Sequence, residues 1–260
     1  MRALRGIVMV FAVVTLIVTY VAAGFAVCVL PPVTHGLASA YVTEDISPFN
    51  RDQLVRAADA TRDFSFGRHD EKALYRTIYD LDREYLVSTA GKAAYEPGFP
   101  NLAVVSDANN LEELRLSCKG ASERFCYTQD VVSHLEDCNV IMRKAVPVLV
   151  VCAVGAVAAL VYTGKKCGRR PTGLVLVISG AGVLCVFLLF GAWAALDFEG
   201  FFTTFHEVFF SQGNWTFYVG SLLICSLPTE FWMGMGVCWL VTSIAASTTS
   251  VLAGWRLRKS

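Results

Sequence analysis

The chain has 260 residues, 55% of them hydrophobic, and its 22 basic and 22 acidic side chains cancel. Charged residues make up only 17%, against about 25% in ordinary soluble domains. This balance excludes a typical soluble domain, and a chain without net charge suggests no nucleic-acid partner.

Four runs are long and apolar enough to cross a bilayer as helices. The first runs roughly from Ile7 to Leu30, well beyond the apolar core of about 7–15 residues in a removable signal peptide. GFAVC, residues 24–28, makes a poor lipoprotein cleavage box, because Val27 stands where a small residue is needed and Phe25 where leucine is usual. The run therefore reads as an anchor, and PPVTHG (31–36) reads as a breaker at the exit from the membrane.

Residues 31–145 are long enough for a compact cap. NRDQLVRAADATRDF predicts a helix with Asn50 as its N-cap. EKALYRTIYDLDREYL predicts another, with Leu74, Ile78, Leu81 and Tyr85 on one face. YEPGFPNLAVVSDANN is rich in turns, with one short strand expected at Leu102 to Val105. YTQDVVSHLEDCNVIM predicts a helix capped by Thr128 that continues into the second span.

The remaining spans run roughly from Val146 to Tyr162, Leu174 to Leu196 and Phe231 to Trp255. Arg2 and Arg5, the KKCGRR linker (Lys165, Lys166, Arg169, Arg170) and the tail (Arg256, Arg258, Lys259) carry nine of the 22 Lys and Arg, and no carboxylate. The positive-inside rule puts these three segments in the cytoplasm and segments 31–145 and 197–230 outside. The fold expected is an all-α integral membrane protein: four transmembrane helices with a mostly helical extracytoplasmic cap between the first and second spans. Its parts are 1–30 (tail and first helix), 31–145 (cap) and 146–260 (helices two to four, with an outer interfacial aromatic segment at 197–230).

Nine cysteines contain no CxxC and no zinc-type spacing. Cys28, Cys152, Cys185 and Cys238 lie in spans and Cys167 on the reducing side, but Cys118 and Cys126 could bridge in an oxidising compartment. Of the four histidines, His35 and His69 read as loop residues. His134 shares a helical face with Asp130, Asp137, Cys138 and Ile141, where a carboxylate one turn away can fix its tautomer. An ordinary surface ion pair fits that pattern too. His206 lies in FHEVFFSQGNW (205–215), an aromatic strip too polar to cross a membrane. An ionisable group held near lipid is costly and marks a functional candidate. Trp215, Phe217 and Tyr218 resemble an interfacial belt, and NWT (214–216) matches a glycosylation sequon.

FHEVFFSQGNWTF followed by LPTEFW (227–232) resembles the C-terminal signature of the bacterial lipoprotein intramolecular transacylases. SHLEDCN (133–139) is similar to that family's other signature through His134, Leu135 and Asp137. Cys138 departs from the usual Val, Asn139 stands where a basic residue is common, and the cap is unusually long. The resemblance implies transfer of the sn-2 acyl chain of a diacylglyceryl-cysteine to the α-amine of the same lipoprotein, giving the lyso form. Its implied partners are diacylglyceryl-modified lipoproteins and membrane lipid, its implied location the bacterial cytoplasmic membrane, and it needs no cofactor or metal. Under it His134 and His206 are the catalytic pair, with His134, backed by Asp137, assigned as base and His206 as acid or oxyanion donor. Glu230 is a supporting carboxylate, and Phe202, Phe205, Phe209, Phe210 and Trp215 form the wall that meets the substrate. An acyl intermediate on Cys138 is the less favoured route, so replacing Cys138 with Val should be tolerated.

Two other classes compete. One is a non-enzymatic membrane protein whose cap binds a partner. The other is a metal-dependent hydrolase with His134, His206 and Asp137 as ligands, although the chain has no HExxH. There is also no GxSxG elbow for a serine nucleophile.

Overall fold

The computed structural model describes residues 2–210 and 213–259; Ser211 and Gln212 of the aromatic strip lie outside the described residues. All regular elements among the described residues are helical. Four of them are long and apolar enough to span a membrane. The chain divides into two compact units.

The membrane unit comprises Met1–Cys28, Arg143–Phe205 and Gly236–Ser260. Its first helix, α1 (Arg2–Cys28), packs with residues of later helices around a core of Ala12, Leu16, Ala156, Ala159 and Val175. Hydrocarbon is as apolar as a leucine side chain, so close backbone approach and polar bonds hold such helices together. Gly173 and Gly254 show this: a Cβ on either would collide with the carbonyl oxygen of the other. Beside that contact Tyr20 Oη bonds Ser250 Oγ (2.9 Å), and Ser250 Oγ donates to Leu176 O (3.0 Å). Trp239 Nε1 donates to Val21 O (2.8 Å).

The cap unit comprises Val29–Met142 and His206–Met235. It begins with α2 (Pro31–Tyr41), where the sequence suggested a break. Both prolines fall in the first turn, where the missing N–H has no helical partner to lose, so they start a helix instead of ending one. Next, α3 (Arg51–Phe66) opens on a full capping box: Gln53 N donates to Asn50 Oδ1, and Asn50 N donates to Gln53 Oε1, each at 3.0 Å. Asp70 caps α4 (Glu71–Ser88), which buries Leu74, Ile78 and Leu81 as its periodicity requires. Tyr85 turns toward Phe49, Phe99 and Phe125, with ring centroids 5.9–6.4 Å away. Asn110 caps the short α5 (Leu111–Ser117). The strand expected at Leu102 to Val105 is instead a 3-10 turn, Leu102–Val104. It follows Pro100, and Asn101 Oδ1 accepts from Ala103 N (3.2 Å); with no strand beside it to complete a ladder, a turn satisfies its backbone locally.

Three helices cross from one unit's residues to the other's. The longest, α6 (Gln129–Cys167), runs unbroken for 39 residues through Pro147, so the cap helix does continue into the second span. After α7 (Arg169–Leu196) come α8 (Phe198–Phe209), the short α9 (Leu222–Ser226) and α10 (Thr229–Lys259). The unit boundary passes between Phe205 and His206 in α8 and between Met142 and Arg143 in α6. Both candidate histidines are therefore cap residues.

Candidate active site

His134 sits in the second turn of α6, flanked by the buried Val131, Val132 and Leu135. Val131 N donates to Thr128 Oγ1 (3.4 Å) at the helix start. Across elements, Asn139 Nδ2 donates to Ser65 O (3.1 Å) and Tyr127 Oη bonds Thr61 Oγ1 (2.6 Å), fixing this part of α6 against α3. His206 sits near the end of α8, and its carbonyl accepts from Phe210 N (2.7 Å).

The two imidazoles, far apart in sequence, come together. Their centroids are 6.1 Å apart and their planes differ by 26°. They are 8% and 9% exposed. Phe210 packs on both, at 4.5 Å from His134 and 5.6 Å from His206. Phe217 closes on His134 (5.7 Å) and Trp215 on His206 (5.0 Å). His134 Nε2 is 3.8 Å from Cys138 Sγ, while its Nδ1 is buried with no hydrogen-bond partner among the described residues. A buried imidazole walled by phenyl rings favours the neutral, proton-accepting form, since desolvation penalises charge.

Asn214 also belongs here and was not singled out from the sequence, where it stood only in the sequon. Gly213, at φ +76°, turns the chain so that Asn214 Nδ2 reaches Asp137 Oδ2 (3.2 Å) and Ser133 Oγ (3.4 Å). Its Oδ1 is buried without a hydrogen-bond partner among the described residues. A polar amide among Trp215, Phe217 and Tyr218 was the available signal.

The other expected residues are distributed unevenly. Phe210 and Trp215 wall the imidazoles, and Asp137 joins through Asn214. Phe202 stacks on Phe198 at 5.9 Å, while Phe205 and Phe209 are 44% and 48% exposed along α8. Glu230 is exposed in the first turn of α10, a favourable place for a carboxylate at a helix N-terminus. His35 pairs with Asp59 (2.8 Å), and His69 stacks on Phe64 (4.4 Å) beside Glu136 (3.2 Å). No group of three or more His, Cys, Asp or Glu among the described residues is arranged to hold a metal ion.

Residues 106–232 match the model of the family described as lipoprotein intramolecular transacylase Lit. That stretch holds both histidines, Asp137, Asn214 and the aromatic wall. This stretch, just under half of the chain, is thus similar to the lipoprotein intramolecular transacylases. The match begins after α4, so the first four helices lie outside it. The fold likeness is broader. The structure of the membrane-integral lipoprotein intramolecular transacylase Lit from Bacillus cereus superposes with a TM-score of 0.61 at 16% identity, covering 100% of this chain and 98% of that one. A comparison with curated proteins returned no match.

Proposed function

We propose that this chain is an acyltransferase of the bacterial membrane that moves the sn-2 acyl chain of a diacylglyceryl-modified lipoprotein to the α-amine of the same molecule. The observation that carries this reading is the meeting of His134 and His206 inside one aromatic wall, within the family-matched segment.

The reaction breaks an ester C–O bond and forms an amide C–N bond. One proton leaves the attacking amine and one arrives on the departing glycerol oxygen, so the mass of the lipoprotein does not change. His134, buried and with Nδ1 open, takes the amine proton. His206 lies across the reacting group and gives a proton to the glycerol oxygen, or donates to the oxyanion as the tetrahedral centre forms. Rings separated by 6.1 Å flank a reacting group instead of bonding to each other. Asn214 holds the Asp137 carboxylate one turn from His134 and presents Oδ1 as an acceptor for the α-amine before attack. Phe210, Phe217 and Trp215 keep water from the ester, favouring the amine as nucleophile over hydrolysis. Phe205 and Phe209, exposed on α8, meet the acyl chains.

The basic termini and linker lie on the cytoplasmic side in this reading, and the cap faces outward. The test is mass spectrometry of a lipoprotein's N-terminal lipopeptide from a host without any other N-acylating enzyme, expressing this chain or its His206→Ala variant. One acyl chain should shift from glycerol to amine at constant mass, and the shift should vanish in the variant. A free amine beside well-inserted protein would overturn the proposal.

A further inference from the structure

The cap holds a second polar cluster that acyl transfer does not use. Asp82 lies on the buried face of α4 and is 1% exposed. Its Oδ2 accepts a hydrogen bond from Cys126 Sγ (3.7 Å), and its Oδ1 is buried without a hydrogen-bond partner among the described residues. Cys118 ends α5 and interacts with the Cys126 thiol; it is half-buried, whereas Cys126 is 1% exposed. The chain between them folds tightly, with Ala121 N donating to Cys118 O (3.0 Å) and Cys126 N to Ser122 O (3.1 Å). Both sulfurs are free thiols in this structure.

A carboxyl group in such a place is expensive, and an orphaned buried polar atom requires a reason. A purely structural bridge would pack better against an apolar neighbour. A thiol pair that opens and closes needs a proton acceptor at the buried sulfur, because the thiolate is the nucleophile and burial opposes its formation. We propose that Cys118 and Cys126 are a redox-active dithiol of the cap, closed to a disulfide by exchange with a disulfide-bearing oxidant, with Asp82 taking the proton of the buried thiol.

The electrostatics agree. The neighbouring Cys126 thiol lowers the Cys118 thiol, with Ser117 contributing, while burial pushes Cys126 up. Burial and the nearby Cys118 hold the Asp82 carboxyl well above the usual carboxylate range, toward the thiols whose proton it exchanges. The other ionisable group facing the pair is Tyr75 of α4, itself beside the ion pair of Glu71 and Arg115. In the first step Cys118 thiolate attacks one sulfur of the oxidant, forming a mixed disulfide and expelling the oxidant's other thiolate. Cys126 then gives its proton to Asp82 and attacks Cys118 Sγ, breaking the mixed disulfide. Two electrons and two protons pass from the dithiol to the oxidant, which leaves as a dithiol. Closure ties the end of α5 to the segment that enters α6 at Thr128, and so to the helix that carries His134.

The experiment equilibrates the purified full chain in mixtures of reduced glutathione and glutathione disulfide, quenches with acid, alkylates, and maps the thiols by mass spectrometry without reduction. Cys118 and Cys126 should be recovered linked under oxidising mixtures and alkylated under reducing ones, with the other seven cysteines alkylated on unfolding in both. Two alkylated thiols throughout would overturn the proposal. Cys126→Ser should trap Cys118 as a stable mixed disulfide with glutathione, whereas Cys118→Ser should leave Cys126 unmodified; the reverse order overturns the assignment of attacking sulfur. Asp82→Asn, nearly isosteric, should slow closure roughly tenfold or more near neutral pH. An unchanged closure rate removes Asp82 from the step.

Discussion

Buried hydroxyls in the membrane unit mostly bond back one turn along their own helix: Thr15 to Phe11 O, Thr163 to Ala159 O, Ser179 to Val175 O and Ser247 to Ser243 O. In the cap, buried polar side chains reach between elements, as in Asn139 to Ser65 O, Tyr127 to Thr61 and Asn214 to Asp137. The first arrangement satisfies most hydroxyls within their own helix, so the unit closes by backbone proximity and a few interhelix bonds such as Ser250 to Leu176 O and Trp239 to Val21 O. The second makes each bond depend on the whole cap being folded. Among the described residues, most buried atoms left unpartnered follow the same division: His134 Nδ1, Asn214 Oδ1 and Asp82 Oδ1 are in the cap, where cross-linked elements can hold an unsatisfied atom in place, and Ser243 Oγ in the membrane unit is the exception.

This contrast is open to test by substitution. The largest effect should come from His134→Ala and His206→Ala, each lowering acyl transfer by about 10²–10⁴-fold. Thermal unfolding in detergent should hardly change, and a collapse of stability in either variant would show these residues to be structural. Gly173→Leu should do the opposite. Its side chain meets the Gly254 carbonyl, and overpacking of this kind costs about 1–3 kcal/mol or more, so the membrane unit should unfold at lower temperature. Asn214→Ala should lower the rate about 10–100-fold, as removal of an orienting partner does, with the unfolding temperature unchanged. Asn50→Ala should cost about 1 kcal/mol through loss of the α3 cap and leave acyl transfer at saturating substrate intact.

Acidity gives a smaller test of the cap. The folded-state pKa of Asp82 is raised, so its contribution to stability is fully present below the ordinary carboxylate value of 3.8 and is lost as pH rises through the folded value. Asp82→Asn should therefore be more stable than the parent reduced chain at neutral pH, with the advantage disappearing below pH 3.8; a pH series of thermal melts reads it directly. The smallest effect should be that of Cys138→Val, a change within a few-fold in rate. Its thiol makes only a weak contact with His134 Nε2.

Much of this architecture was legible in the sequence because its signals are local. Hydropathy marked the four spans, Asn50 announced its helix, and the spacing of Leu74, Ile78 and Leu81 gave the buried face of α4. His134 and His206 stood out because each was an ionisable group in unusual company. Elements governed by position within a turn were harder to read. Pro31 and Pro32 look like breakers until their place in the first turn is known, and Leu102 to Val105 looks like a strand until the absence of a neighbour is seen. Asn214 was invisible because its role depends on Asp137, which reaches it only through tertiary folding.

The unbroken α6 has a consequence for how a substrate must travel. At about 1.5 Å per residue, 39 residues extend roughly 58 Å, nearly twice the ~30 Å hydrocarbon layer. His134 precedes the apolar run at Val146 by roughly 18 Å along that axis on the same rise. In the proposed reaction, an ester resting at its ordinary depth in a bilayer would have to leave that depth to meet the imidazole, exposing methylenes at about 0.8 kcal/mol each unless a surface receives them. The proposed reaction assigns that task to the exposed phenyl rings of α8. On this view turnover depends on how readily a leaflet releases a lipid, and the same enzyme should work faster in a loosely packed, fluid membrane than in a stiff one.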